Sequence, residues 1–178
     1  MKKTQKTKLL IMIAVAVVIL AAYLIYSRPM SLPQMYPMLT LDQCTEIHGY
    51  FRIEEQPEQT RFTVSASDEA FQDLCDTFYG RRYRRSLRSI FARGARYHRV
   101  EPGDFQWEVY FHFEDVELPD GSFGSGAMLH IQNWYGELDL YFDGGRVSLH
   151  TDDEEAWCKE VLNLMFVDES VPVGSQLC

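Results

Sequence analysis

The feature that most constrains this chain is an uncharged apolar stretch of 18 residues, from residue 9 to residue 26. An α-helix rises 1.5 Å per residue, so a helix of this length is about 27 Å long, close to the ~30 Å hydrocarbon core of a bilayer. Tyr23 and Tyr26 stand at the far end, where aromatic side chains favour the membrane interface. The stretch therefore predicts one transmembrane helix over residues 9–26.

The charges around this stretch predict its orientation. Four lysines precede it in a basic tail of residues 1–8, and no acidic residue occurs before Asp42. Because basic flanks stay in the cytoplasm, we expect the tail to be cytoplasmic and the rest of the chain to lie outside. A cleaved signal peptide is the alternative, but signal peptides have apolar regions of about 7–15 residues, shorter than the 18 residues found here. We therefore expect an uncleaved, single-pass anchor in the plasma membrane.

Charge is distributed unevenly beyond the anchor. Five of the 17 basic residues lie within residues 2–28, whereas all 26 acidic residues follow, which leaves 12 basic residues against 26 acidic ones and a net charge of −14. Such acidity argues against nucleic acid as a partner. The two asparagines, Asn133 and Asn163, are not in glycosylation sequons, which favours a bacterial cell surface.

Four cysteines follow the apolar stretch, namely Cys44, Cys75, Cys158 and Cys178. An oxidising compartment permits two disulfides among them, in any of three connectivities. Cys75 and Cys158 fall on the apolar faces of two predicted helices, so burial as reduced thiols is equally open.

Residues 27–40 contain three prolines and predict an extended linker, followed by one domain over residues 41–178. Alternating apolar and polar residues predict about six strands, at 45–53, 61–65, 106–116, 127–132, 137–142 and 146–150. Ser67 and Thr151 are predicted to cap two helices. Short turns between successive strands predict an antiparallel meander sheet with the helices on one face. The predicted fold class is therefore α+β, a two-layer domain behind a transmembrane helix.

The sheet face away from the helices collects polar and aromatic side chains. We select as candidate binding residues Tyr50, Tyr110, His112, Trp134 and Tyr141. Aromatic residues with polar neighbours are typical of recognition surfaces. The alternative is a solvated face stabilised by cross-strand pairs, which is common in antiparallel sheets.

The same face carries groups that could ligate a metal. His112 and Glu114 are two residues apart on one predicted strand, and His130 or His150 could approach from neighbouring strands. Zinc requires three or four ligands that converge on one point, and the sequence contains neither an HExxH motif nor paired cysteines. From sequence we therefore assign no metal, no cofactor and no catalytic residue.

Residues 81–99 contain eight arginines and no lysine or acidic residue. Apolar residues recur there at helical spacing, which predicts a basic helix. The candidate binding residues on its rim are Arg81, Arg82, Arg84, Arg85 and Arg88. Two roles remain open: pairing with acidic residues of the domain itself, or binding to an anionic lipid surface or wall polymer.

Together these patterns indicate a membrane-anchored protein with an extracytoplasmic interaction or sensory domain. Its expected partners are the membrane and a protein or anionic component of the cell envelope. The alternative is a cell-envelope enzyme, a metal-assisted hydrolase that uses the sheet face bearing histidine and glutamate. Because no catalytic motif is found, we expect no enzymatic activity.

Overall fold

The computed structural model describes residues 2–53, 60–86, 105–118, 121–124, 126–134 and 137–165. Within them the helices are α1 (Lys2–Tyr26), α2 (Leu32–Met35), α3 (Glu69–Tyr79) and α4 (Glu154–Met165). The strands are β1 (Cys44–Ile53), β2 (Thr60–Ser65), β3 (Tyr83–Arg85), β4 (Phe105–Phe113), β5 (Val116–Glu117), β6 (Phe123–Gly124), β7 (Ala127–Trp134), β8 (Glu137–Phe142) and β9 (Gly145–Thr151).

Helix α1 carries the apolar stretch. Its segment Thr7–Tyr26 is long and apolar enough to cross a membrane, and none of it is buried against the domain. Large apolar side chains such as Leu10, Val18 and Ile25 are exposed along it. Because water solvates such a surface poorly, the helix favours association with a membrane.

Residues 30–39 of the predicted linker pack against the domain, so the prediction of an extended linker over residues 27–40 is wrong. Met30 and Tyr83 exchange two backbone hydrogen bonds, of 2.9 and 2.8 Å. Leu32 and Leu39 are each only 1% exposed and belong to the core. Burial of these two leucines outweighs the extended tendency of the three prolines. Only residues 27–29 separate α1 from the first backbone hydrogen bonds with the domain.

Seven strands form one antiparallel sheet in the order β2-β1-β4-β7-β8-β9-β3. Strands β5 and β6 form a separate two-stranded pair. The six predicted strands correspond to β1, β2, β4, β7, β8 and β9, and the α+β class is confirmed. The seventh strand, β3, pairs with β9 at one edge of the sheet.

The basic helix predicted to begin at Arg81 is wrong over the described part of that segment, because Tyr83–Arg85 form β3. Tyr83 is fully buried, and its hydroxyl donates a hydrogen bond of 2.8 Å to the carbonyl oxygen of Phe78. Pairing with the edge of β9 satisfies the backbone there, which outweighs a weak helical preference. Residues 87–99 of the predicted helix, including Arg88, lie outside the described residues.

Helices α3 and α4 cover one face of the sheet. The ring of Phe78 from α3 meets Trp107 of β4 and Trp157 of α4, with centroid distances of 5.7 and 5.3 Å. Trp107 and Trp157 also meet edge to face, at 5.5 Å. The helical stripes and the alternate residues of the strands supply this core as the sequence predicted. The opposite face of the sheet is consequently built from the polar alternate residues.

Candidate functional site

The polar face is the side of the sheet that α3 and α4 do not cover. Strand register places on it Glu46, His48 and Tyr50 of β1, Glu108, Tyr110 and His112 of β4, His130 and Gln132 of β7, Asp139 and Tyr141 of β8, and Arg146 and Ser148 of β9. Four of the five selected aromatic and histidine residues, Tyr50, Tyr110, His112 and Tyr141, lie there. Trp134 ends β7, and its side chain is outside the described residues.

A row of stacked rings crosses four neighbouring strands of the polar face, and we call it the ring row: His48, Tyr110, His130 and Tyr141. The ring of Tyr110 lies between His48 and His130, with centroid distances of 4.8 and 4.1 Å and nearly parallel planes. Tyr141 continues the row beyond His130 at 5.1 Å. Neighbouring strands are about 4.8 Å apart, so each strand contributes one ring at the stacking distance.

Glu108 is the acidic group beside the ring row. The hydroxyl of Tyr110 donates a hydrogen bond to its carboxylate, and the Nε2 atom of His130 lies 3.5 Å from the same oxygen. The side chains of Glu108 and His130 are only 14% and 16% exposed. Burial, the larger cause, and this hydrogen bond both raise the pKa of Tyr110. The Tyr110 hydroxyl therefore remains a hydrogen-bond donor at ordinary pH.

A buried carboxylate stands at the β8–β9 end of the polar face. Asp139 is 2% exposed, and it accepts hydrogen bonds of 2.7 Å from both Arg146 and Ser148. The Arg146 guanidinium also lies over the ring of Tyr141, 5.9 Å from its centroid. Since a buried charge is tolerated only when it is paired, these contacts fix Asp139 and the end of the ring row together.

At the β1–β4 end of the polar face, Glu46, His48 and His112 form a compact group. One ligand atom from each lies within 4.8 Å of those of the other two, so the group could hold a metal ion. The Nδ1 atom of His48 is 2.7 Å from Nε2 of His112 and 3.6 Å from Oε1 of Glu46. Burial, and then the neighbouring His112, lowers the pKa of His48, which keeps its imidazole neutral at pH 7.

Sequence reasoning identified His112 but paired it with different residues. Among the described residues, Glu114, His130 and His150 do not join the metal-ligating group. His150 lies opposite Arg84 at the far edge of the sheet. Glu46 was missed, although the alternation that places His48 on the polar face also places Glu46 there. The missing information was the register between β1 and β4.

The described arginines of the candidate segment have different surroundings. Arg81 donates hydrogen bonds to Thr151 Oγ1 at 2.6 Å and to the carbonyl oxygen of Asp152, and its guanidinium lies 5.0 Å from the Trp157 ring centroid. Arg85 lies over the ring of Tyr26 at the end of α1, at 5.9 Å. Arg82 and Arg84, by contrast, are exposed.

Three of the cysteines are buried free thiols: Cys44, Cys75 and Cys158. The thiol of Cys44 donates a hydrogen bond of 3.8 Å to the carbonyl oxygen of Glu46. The proximity of the Cys44 thiol, together with burial, raises the pKa of Cys75. Cys158 instead accepts a hydrogen bond of 2.8 Å from the Asn133 amide. Cys178 lies outside the described residues. Cys75 therefore faces Cys44, which sequence reasoning had not singled out as its neighbour.

Comparisons of this chain with protein-family models, with curated proteins and with solved structures find no match. The candidate site therefore stands on its own geometry: a polar face with a ring row, a buried carboxylate at one end and a histidine–glutamate group at the other.

Proposed function

We propose that this chain is a single-pass plasma-membrane protein of a bacterial cell surface, with its N-terminus in the cytoplasm and an interaction or sensory domain outside. The lysines that precede α1 support this orientation. The domain would bind its partner through the polar face.

The observation that carries this proposal is the ring row. An ordinary solvated sheet face holds mobile polar side chains, whereas His48, Glu108 and His130 have side chains only 14–16% exposed. Stacking and hydrogen bonds already fix them. A partner that contacts fixed side chains loses less conformational entropy on binding, so the face is preorganised for recognition.

Site-specific photo-crosslinking in intact cells tests the binding face. A photoreactive residue replaces Thr63, which is exposed on the polar face opposite His48, or Glu160, which is exposed on α4. We expect a discrete crosslinked product from position 63 and none from position 160. Equal products from both positions, or none from position 63, would contradict binding through the polar face. Protease protection in the same cells tests whether the domain is outside.

The membrane side of the domain is proposed to be the β3 edge. Met30 is four residues from Tyr26, so an extended chain keeps Met30, the bridge partner of Tyr83, within about 14 Å of the end of α1. Arg82 and Arg84 are exposed on either side of Tyr83. A basic residue at an anionic lipid surface contributes about 1 kcal/mol to membrane binding. The screening length in salt solution is about 10 Å, which is comparable with the distance between Met30, at the β3 edge, and the end of α1.

Energy transfer in nanodiscs tests this orientation. We expect the buried tryptophans to transfer more energy to dansyl-labelled anionic lipid than to dansyl-labelled zwitterionic lipid. Replacing Arg82 and Arg84 with Ser should remove the difference, because their charges would attract the anionic headgroups. The matched control is Arg61→Ser, since Arg61 is exposed on β2 at the opposite edge of the sheet. A preference that survives the double substitution would contradict the proposal.

A second candidate function is metal-assisted hydrolysis, and the observation that favours it is the Glu46, His48 and His112 group. Two histidines and one carboxylate are the protein ligands of several catalytic zinc sites, which keep a fourth position for water. The test is hydrolysis of ester, phosphoester and peptide substrates by the zinc-loaded full chain. Activity that Glu46→Gln leaves unchanged would not come from this group.

A further inference from the structure

We propose that Glu46, His48 and His112 bind a divalent transition-metal ion, and that zinc is the ion best suited to them. The site would belong to the folded domain itself, so it depends neither on the orientation of α1 nor on a partner at the polar face. The second candidate function, however, requires it.

The strands deliver the three ligands from rigid positions. Glu46 and His48 are two residues apart on β1 and therefore point to the same side of the sheet. His112 of β4 is the direct cross-strand partner of Glu46. The imidazole of His48 also stacks on Tyr110, with nearly parallel planes and ring centroids 4.8 Å apart. A ligand ring supported in this way loses little freedom when an ion binds.

Two of the three distances between ligand atoms are close to those of a tetrahedral zinc site, and all three are within 4.8 Å. Zinc–nitrogen and zinc–oxygen bonds of about 2.0–2.1 Å place neighbouring ligand atoms about 3.3 Å apart. The distance from His48 Nδ1 to Glu46 Oε1 is 3.6 Å, and that from His48 Nδ1 to His112 Nε2 is 2.7 Å. The two nitrogens must separate by about 0.6 Å. The Glu46 side chain is 45% exposed, so it has room to rotate towards the ion.

Without an ion, the two imidazoles hydrogen-bond to each other through these same nitrogens. One of them donates its N–H, and a metal ion needs the lone pair of both. The donating ring must therefore move its proton to its other nitrogen before both can coordinate. This is a change of tautomer with no net release of a proton from the pair, and the hydrogen bond is replaced by two metal–nitrogen bonds.

The ligand types decide which ion fits. Imidazole nitrogen suits zinc, copper and nickel, whereas magnesium and calcium prefer sites made of oxygen atoms. Three protein ligands leave a coordination position for water or for a group of the partner. An ion here would lie at the end of the ring row, beside His48, and would place a positive charge on a domain whose overall charge is acidic.

Zinc binding to the full chain is the direct test. The protein is purified in detergent without a polyhistidine tag, stripped with a chelator and titrated with Zn²⁺ against a chromophoric competitor. We expect one ion per chain, and at least about 10-fold weaker binding for His48→Ala, His112→Gln and Glu46→Gln, since even indirect supports of a metal site change affinity by about 10–100-fold. Mg²⁺ in the same assay should not compete.

His150→Gln is the matched control, because His150 is exposed on the polar side of the same sheet but stands at its opposite end. Its zinc affinity should equal that of the unmodified chain. Urea midpoints of all variants establish that each is folded. Absence of zinc binding, or equal loss in the control and in the ligand variants, would overturn the proposal.

X-ray absorption of the zinc-loaded, unmodified chain provides a readout that does not depend on any variant. We expect nitrogen and oxygen neighbours near 2.0–2.1 Å with scattering from two imidazoles. A sulfur neighbour near 2.3 Å would show that cysteines hold the ion, and would overturn the assignment. Failure of zinc binding would leave the crosslinking result at Thr63 unchanged, so the metal site and the binding face are tested separately.

Discussion

Among substitutions that add one methyl group to the described part of the domain, Gly49→Ala is predicted to be one of the most destabilising. Gly49 lies in the middle of β1, on the side of the sheet that faces the helices, opposite Phe62 of β2 and Val109 of β4. A Cβ atom there would stand 2.3 Å from the carbonyl oxygen of Glu108 and 2.4 Å from the ring of Phe62. Ordinary contacts are more than about 0.8 Å longer, so both neighbours must move.

The magnitude follows from which neighbour can move. The half-buried ring of Phe62 can rotate, but the carbonyl of Glu108 belongs to β4, an interior strand of the sheet, so the strands themselves must separate. Overpacking costs typically 1–3 kcal/mol, occasionally more, and a clash with backbone belongs at the upper end. We expect a loss of about 3 kcal/mol, which lowers the melting temperature by about 6–12 °C for a domain of this size.

Urea unfolding of the full chain in detergent, followed by tryptophan fluorescence, measures this loss, because Trp107 and Trp157 are both buried. The matched control is Gly124→Ala, where the nearest contact of a new methyl group would be 3.5 Å, and we expect a change of less than about 0.5 kcal/mol. Adding Phe62→Ala should not restore stability, since the clash with Glu108 remains. A loss below about 0.5 kcal/mol for Gly49→Ala would refute the argument.

Three further predictions concern stability and the thiols. A chain that begins at residue 29 should keep the urea midpoint of the domain. A chain that begins at residue 41 lacks the buried Leu32 and Leu39, so its free energy of unfolding should fall by about 4 kcal/mol or more. Equal urea midpoints for the two chains would contradict this. Arg81→Ala removes the contact with Trp157 and the hydrogen bonds to Thr151 and Asp152, and it should cost about 1–2 kcal/mol in the same assay, against less than about 0.5 kcal/mol for Arg82→Ala. A disulfide oxidoreductase should join Cys44 and Cys75, taking one hydrogen from each thiol, and closure of a loop of about 30 residues should stabilise the domain by about 3–4 kcal/mol. Mass spectrometry of the non-reduced protein that finds both thiols alkylated after this treatment would contradict it.

The parts of the fold that could be predicted are those in which one short pattern decides the structure. Alternation located six strands and divided them into a buried and a polar face. Helical stripes located α3 and α4, whose residues Phe78 and Trp157 meet in the core. The uncharged stretch located α1. In each case the hydrophobic effect acts on residues that are neighbours along the chain.

The wrong predictions share a different cause. Leu32, Leu39 and Tyr83 are buried because distant parts of the chain offer them a partner, and no local pattern contains that partner. Tyr83 has helical spacing with its neighbours, yet β9 and Met30 lie on either side of it and pair with its backbone. Tertiary pairing therefore determined the structure of a segment whose local sequence favoured a helix.

The candidate metal site depends on register in the same way. Glu46 faces His112 only because Ile47 faces Phe111 and Phe51 faces Trp107 on the other side of the same two strands. A slip of two residues between β1 and β4 would keep every apolar residue on its correct face, but it would separate Glu46 from His112. The aromatic side chains beneath α3 fix the register by their shapes and not by alternation alone, since Trp107 fits against Phe78 and Trp157. The buried face thus determines which polar side chains meet on the exposed face, and a substitution that shifts β1, such as that of Gly49, would remove zinc binding without altering any proposed ligand.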